Sequence, residues 1–222
     1  MNNVRTVSDT KRTFYTLHTR PINTIYRRVV EELMVEMHLL SDAIYALGVV
    51  TTFDRFMEGY QPATDQESIF RAICQAVEQD PQHYRQDASG LKALAASIPI
   101  QDLIAGLSQG SSLNQDANLQ NRLAAIKSNT NFKYSRLFGV GLLALLLESD
   151  PEFIKDDKQR AETLKAIANG LHLPEDKLIK DLELYSSNLE KMAQALIVMA
   201  DILSADRKKR EQRQQELNTS AS

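Results

Sequence analysis

The sequence predicts an all-α fold: a compact multi-helix bundle with a long C-terminal helix that projects beyond the bundle. Three observations predict it. Apolar residues recur at steps of three and four along most of the 222-residue chain. Alternating strand patterns are almost absent, and no internal repeat is visible. Short punctuated breaks separate segments of roughly 10–20 residues, the lengths and spacings of helices packed in a bundle.

The elements come in this order. "SDTKRTFYTLHT" opens with Ser8 as the expected N-cap of a first helix. After Pro21 a longer helix carries Ile22, Ile25, Tyr26, Val29, Val30, Leu33, Met34, Met37 and Leu40 as one stripe. A second apolar run, Ala43 to Met57, comes after little or no loop, and Gly59 to Ala63 is a break. Thr64 and Glu67 form a capping-box pattern ahead of a helix through Val77. Asp80-Pro81 starts another, Gly90 is expected to interrupt it, and Pro99 ends or kinks the next stretch. "SQGSSLNQDAN", Ser108 to Asn118, is the best internal loop, with helical patterns resuming near Leu119 and again at Phe132. Asp150-Pro151 caps a further helix that Gly170 ends.

The run Leu137 to Leu147 has eleven residues and no polar side chain. Three readings compete for it. As a helix it covers about 16 Å, half of a hydrocarbon core, and Lys133, Arg136, Glu148 and Asp150 close both ends. It is therefore not expected to span a membrane. Gly139-Val140-Gly141-Leu142-Leu143-Ala144 fits a loose GxGxxA phosphate pattern, but no β-branched strand precedes the glycines. A buried helix remains, with Gly139 and Gly141 each admitting a close neighbouring backbone.

The last helix is the most regular. After Pro174, Glu175 and Asp176 suit the positive end of the helix dipole. Leu178, Leu182, Tyr185, Leu189, Met192, Leu196, Met199 and Leu203 succeed one another at steps of 4-3-4-3-4-3-4, a coiled-coil seam by spacing. Leu184, Ile197 and Val198 stand where flanking charges belong in an isolated two-stranded coil, and Ala193, Ala195, Ala200 and Ile202 widen the apolar surface. Packing inside the chain's own bundle is expected over a homodimeric coil, and the protein is expected to be a monomer. The seam stops at Leu203, so residues 1–204 read as a single all-helical domain and 205–222 as a polar, charged helical extension. Over residues 174–217 the helix would be about 65 Å long.

Charge and cysteine usage narrow the function. The net charge of −3 gives no global signal for nucleic acid. The distribution is uneven: residues 1–30 carry a balance of +5, residues 205–222 of +2, and the remainder of −10. Basic ends on an acidic body suit an anionic lipid surface or an acidic partner, as against cations that only solvate a helix face. The contact candidates are Arg20, Arg27 and Arg28 near the N-terminus and Arg207, Lys208, Lys209 and Arg210 in the extension. The lone Cys74 shares a helical face with Ile69, Phe70, Ile73 and Val77 and reads as core filler. It cannot form an internal disulfide, which fits a reducing compartment. The N-terminus lacks the apolar segment of a signal peptide, so a cytosolic or peripheral protein is expected.

Catalytic patterns find no support. His18, His38, His83 and His172 form no metal-binding pair. Glu32, Glu36 and His38 lie close in sequence, and Asp80-Pro81-Gln82-His83 is the one acid-x-x-His, but a di-iron bundle needs Glu-x-x-His on two helices. No catalytic residue, metal or cofactor is expected, which leaves binding or scaffolding.

Four blocks carry a family resemblance. "TVSDTKRTFYTLHTRPINTIYRRVVEELMVEMHLL" (6–40), "FDRFMEGYQP" (53–62), "YSRLFGVGLLALLLES" (134–149) and "LPEDKLIKDLELYSSNLEKM" (173–192) stand in the order of the thylakoid formation proteins, also called photosystem II biogenesis accessory proteins. The chain resembles the cyanobacterial branch of that family. The resemblance implies an all-α, non-enzymatic factor at the cytosolic face of the thylakoid membrane, peripherally bound. It implies a role in photosystem II biogenesis and repair through binding and maintaining membrane-anchored FtsH protease complexes. The family has no catalytic motif to carry over. After "MHLL" the chain runs "SDAIYALGVVTTFDRF", shorter than the family pattern, so the helix junction near Ser41 to Tyr45 is expected to differ.

Overall fold

A computed structural model describes residues 6–37, 42–109, 121, 123–124, 127–128 and 132–220. His38, Ser41 and the greater part of the expected loop 108–118 lie outside the described residues, as does Leu119. The elements are α1 (Val7–Leu17), α2 (Thr24–Glu36), α3 (Ala43–Phe56), α4 (Thr64–Ala76), α5 (Pro81–Ser97) and α6 (Ile100–Gln109). After them come α7 (Arg136–Ser149), α8 (Pro151–Lys155), α9 (Asp157–Gly170) and α10 (Glu175–Ser220). Among the described residues there is no strand, and the all-α expectation holds.

Contacts divide the chain into two units, Met1–Tyr185 and Ser186–Ser222. The boundary read from the sequence at 204 marks where the apolar seam stops, and the division by contacts falls earlier, after Tyr185.

The centre of the first unit is α3 against α7, with α5 packed on both. Leu137 to Leu146 are all buried, so the apolar run fills a core, and only Leu147 at its end reaches the surface. Two glycines set the approach of the axes. A Cβ on Gly48 would collide with the Leu137 carbonyl, and one on Gly141 would collide with the Ile44 carbonyl. Backbone meets backbone at both places, which only glycine permits. Gly139 differs from expectation. Its neighbours are side-chain atoms, Tyr134 Oη and Leu178 Cδ1, at 2.7 and 2.9 Å from an added Cβ.

Aromatic rings seal the remaining layers. Phe53 and Phe70 pack at 4.9 Å between α3 and α4, and the Arg85 guanidinium stacks on Phe70 at 4.3 Å. Arg85 also donates to both carboxylate oxygens of Asp54, at 2.7 and 2.8 Å. Phe56 meets Tyr185 edge-on at 5.8 Å, which fixes the first turns of α10.

Helix ends obey local chemistry, with corrections. Asp80, Asp150 and Asp156 cap α5, α8 and α9 through their side chains, the first two with Pro at the first helical position. The single helix expected after Pro151 is thus split at Asp156, whose carboxylate restarts it. The N-cap of α1 is Thr6, not Ser8. Thr6 accepts from Asp9 N–H while the Asp9 carboxylate accepts from Thr6 N–H, a reciprocal box unavailable to Ser8. The box expected at Thr64 and Glu67 does not form. Ala63 precedes α4 with no side-chain cap, because Thr64 is already helical. Asp42 caps α3 through Tyr45 N–H, which starts the second core helix.

Gly90 does not break α5, which runs through it to Ser97. It is exposed, and a Cβ there would meet nothing within 4 Å. Only its conformational freedom opposes the helix, at about 1 kcal/mol relative to Ala. Gly90→Ala is expected to raise stability by about 0.5–1 kcal/mol in urea denaturation, without changing the slope.

Candidate interaction surfaces

The N-terminal basic segment is built on α1, α2 and α4. Arg20, in the connection between α1 and α2, pairs with Asp65 in the first turn of α4. Asp65 is buried, so this pair ties the connection to the bundle. Arg28 pairs with Glu32 one turn on, at 2.8 Å on the exposed face of α2. Arg27 is exposed and, among the described residues, joins no ion pair within 4 Å. It lies near Glu31, which also takes Lys11 at 2.6 Å and the Tyr15 hydroxyl at 2.9 Å. Hydrogen bonding to Lys11 holds the Glu31 carboxyl below its ordinary value against the cost of burial. Of the three sequence candidates here, Arg20 is committed to the fold, Arg28 to a local pair, and Arg27 presents its charge outward.

Beside this segment sits His18, 5% exposed and stacked on Phe14 at 5.9 Å. Its Nε2 has no hydrogen-bond partner among the described residues. Burial lowers its pKa, with Asp65 opposing and Arg20 assisting. By linkage, a folded-state value below the unfolded one gives stability that is complete above about 6.5 and is lost as pH falls. His18→Phe should therefore show a flatter stability profile than the parent below about pH 6.5, measured by denaturant titration across pH. Glu36, raised by burial despite Arg136, acts with the opposite sign, its contribution being complete below its ordinary value and lost as pH rises. It is common to both proteins and cancels in the comparison.

The acid and histidine candidates for chemistry are dispersed. Glu32 faces Arg28, and Glu36 pairs with Arg136 across α2 and α7. Lys177 lies 4.7 Å from the Tyr134 ring beside that pair. Asp80 is spent on a helix cap, and exposed His83 faces Asp87 at 3.4 Å. Cys74 is fully buried, and burial pushes its thiol up to about 12. Among the described residues no group of three or more His, Cys, Asp or Glu could hold a metal ion.

The C-terminal helix differs from the sequence reading. Leu184, Ile197, Val198 and Ile202, expected inside the bundle, are exposed. No residue from Ser186 to Gln212 is buried. The seam spacing shows that one side of the helix is apolar but carries no information about what covers it. Arg207, Lys208, Lys209 and Arg210 come next on the same helix, all exposed. None of the four joins an ion pair within 4 Å among the described residues.

Among the described residues no single helix is long and apolar enough to cross a membrane. The pair α5 and α6 reaches the needed length only across a 118° bend, and its Leu91, Ala95, Leu103 and Leu107 are buried in the bundle.

Fold and surfaces together define an all-α bundle protein that presents charged helix faces. The sequence matches the model of the thylakoid formation protein family over residues 6–214. It is 70% identical to Protein Thf1 of Nostoc punctiforme, over 97% of this chain and 95% of that protein. It is 71% identical to Protein Thf1 of Trichormus variabilis, over 99% of this chain and 97% of that one. The fold is similar to the solved structure of Psb29 at 1.55 Å, with a TM-score of 0.79 and 43% identity, covering 93% of this chain and 98% of that one. The chain belongs to the thylakoid formation protein family.

Proposed function

We propose that this protein is a non-enzymatic accessory factor in photosystem II biogenesis and repair, acting by binding and maintaining FtsH-type protease complexes of the thylakoid membrane. It works from the cytosolic face as a peripheral protein. The observation that carries this reading is the family match across residues 6–214, on a fold whose first unit buries most of its large apolar residues. A bundle of that kind acts through its outside. On α2, Arg27 and the Arg28–Glu32 pair form an exposed charged face.

The test is capture from detergent-solubilised thylakoid membranes with the tagged full chain. FtsH subunits should be recovered, and a deletion strain should hold less of the protease. No recovery together with unchanged protease levels would remove this reading.

A second reading is a lipid-binding protein that organises the thylakoid membrane. The exposed apolar residues beside Arg207–Arg210 favour a lipid contact specifically.

A further inference from the structure

We propose that residues 192–210 of α10 form a lipid-docking helix, which lies in the headgroup–acyl boundary of an anionic membrane. The proposal rests on the peripheral membrane placement proposed above and assigns it to one segment.

At 100° per residue, the apolar side chains of residues 192–203 cover an arc of about 260°. Its edges are Val198 and Ile202 on one side and Ile197 on the other, with Leu196, Met199 and Leu203 between them. The remaining strip holds Glu190, Gln194 and Asp201. The most exposed apolar residues are Leu203 (66%), Ile197 (62%), Val198 (57%) and Ile202 (57%). Ile197 and Val198 thus stand at opposite borders of the arc, next to the polar strip.

This distribution decides between occupants. A second copy pairing along the 4-3 seam would cover Leu189, Met192, Leu196, Met199 and Leu203. It would leave Ile197 and Val198 in water, both more than about 100° from the seam. In register it would also set Arg210 against Arg210. A lipid surface has no seam. A helix sunk to its polar strip covers the whole arc and leaves Glu190, Gln194 and Asp201 in water.

Length and charge agree. The stretch 192–203 is about 18 Å long, too short for the hydrocarbon core of about 30 Å, so the helix lies along the surface. Arg207, Lys208, Lys209 and Arg210 cover successive directions around the next turn, flanked by Asp206 and Glu211. Their long stems let the cations reach anionic headgroups while the preceding turns sit among acyl chains.

The test uses the full chain and large vesicles of phosphatidylcholine, alone or with an equal part of phosphatidylglycerol, assayed by co-sedimentation. Binding to the mixed vesicles at low salt is expected, weakening steeply as salt rises. Each cation near the surface contributes about fivefold in affinity, so Lys208→Gln with Lys209→Gln should weaken binding about 25-fold. Ile197→Ser with Val198→Ser should weaken it at least about tenfold. All four positions are exposed, so circular dichroism and melting of these variants should match the parent. Val198→Cys can carry an environment-sensitive dye, because buried Cys74 does not compete for the label. Its emission should shift to the blue on vesicle addition. Absent binding at low salt, or binding indifferent to Ile197→Ser with Val198→Ser, overturns the proposal. So does a dimer in sedimentation that Leu196→Glu, on the seam, dissolves, which would make a second copy the occupant. Pure vesicles contain no protease, so these outcomes are separate from the capture experiment.

Discussion

Gly141→Ala is expected to destabilise the bundle severely, by at least about 3 kcal/mol, with Gly48→Ala equivalent to it. In each case the new methyl group meets a backbone carbonyl, that of Ile44 or of Leu137, on the opposing core helix. Neither carbonyl can rotate away without disturbing its own helix. The axes must separate, which loosens the packing of two helices that bury Phe138, Leu142, Leu145 and Leu47. Overpacking costs about 1–3 kcal/mol where side chains can adjust, and backbone against backbone lies at or beyond that limit. Against a total stability of about 5–15 kcal/mol, a loss of at least about 3 kcal/mol is severe. Gly139→Ala is the internal comparison. It meets the movable ends of Tyr134 and Leu178, so it should cost clearly less. The expected order in urea denaturation is Gly141 and Gly48 worst, Gly139 intermediate, and Gly90 stabilising.

The second large effect is at Phe138. Its ring is fully buried and meets Phe132 edge-on at 5.1 Å. Phe138→Ala removes that contact and leaves a cavity in the core, for a loss of about 3–5 kcal/mol. Ile197→Ala on the C-terminal helix should change stability by less than about 0.5 kcal/mol. Phe138→Ala deletes six carbons and Ile197→Ala three, so a contrast well beyond twofold reports the difference in burial. Equal losses would mean that residues 186–203 are as covered in solution as the core.

Much of this was legible in the sequence, and the boundary is physical. The apolar run of α7 could be read as buried because its length and flanking charges oppose a membrane span, and the lack of a preceding strand opposes a phosphate loop. Asp80-Pro81 and Asp150-Pro151 declared helix starts, since cap and proline act on their own backbone. Position 90 misled because a propensity of about 1 kcal/mol is overridden when Tyr84, Ala88, Leu91 and Ala95 pack on one face. Gly48 carried no signal at all. Its role exists only once Leu137, far along the chain, is brought against it. Arg20 and Asp65, 45 residues apart, and Glu36 and Arg136, 100 apart, are likewise pairs that tertiary structure creates. For the surface candidates the cations were legible but their partners were not. Nothing in the chain order separates Arg20, held by a buried carboxylate, from Arg207–Arg210. On α10 the heptad spacing predicted burial because periodicity reports which residues share a face, and a partner is a separate fact.

The apolar helices α3 and α7 are buried against each other, and the proposed function assigns the working contacts to exposed helix faces. Amide hydrogen exchange on the lipid-free protein in plain buffer tests this most directly. Amides of Leu47 to Phe53 and Leu137 to Leu146 should exchange only through global unfolding, while those of Arg207 to Arg210 exchange quickly. Adding anionic vesicles should leave the first set unchanged and slow exchange in residues 192–210. Rapid exchange of Leu137 to Leu146 in buffer, with protection appearing only when vesicles are added, would contradict that burial.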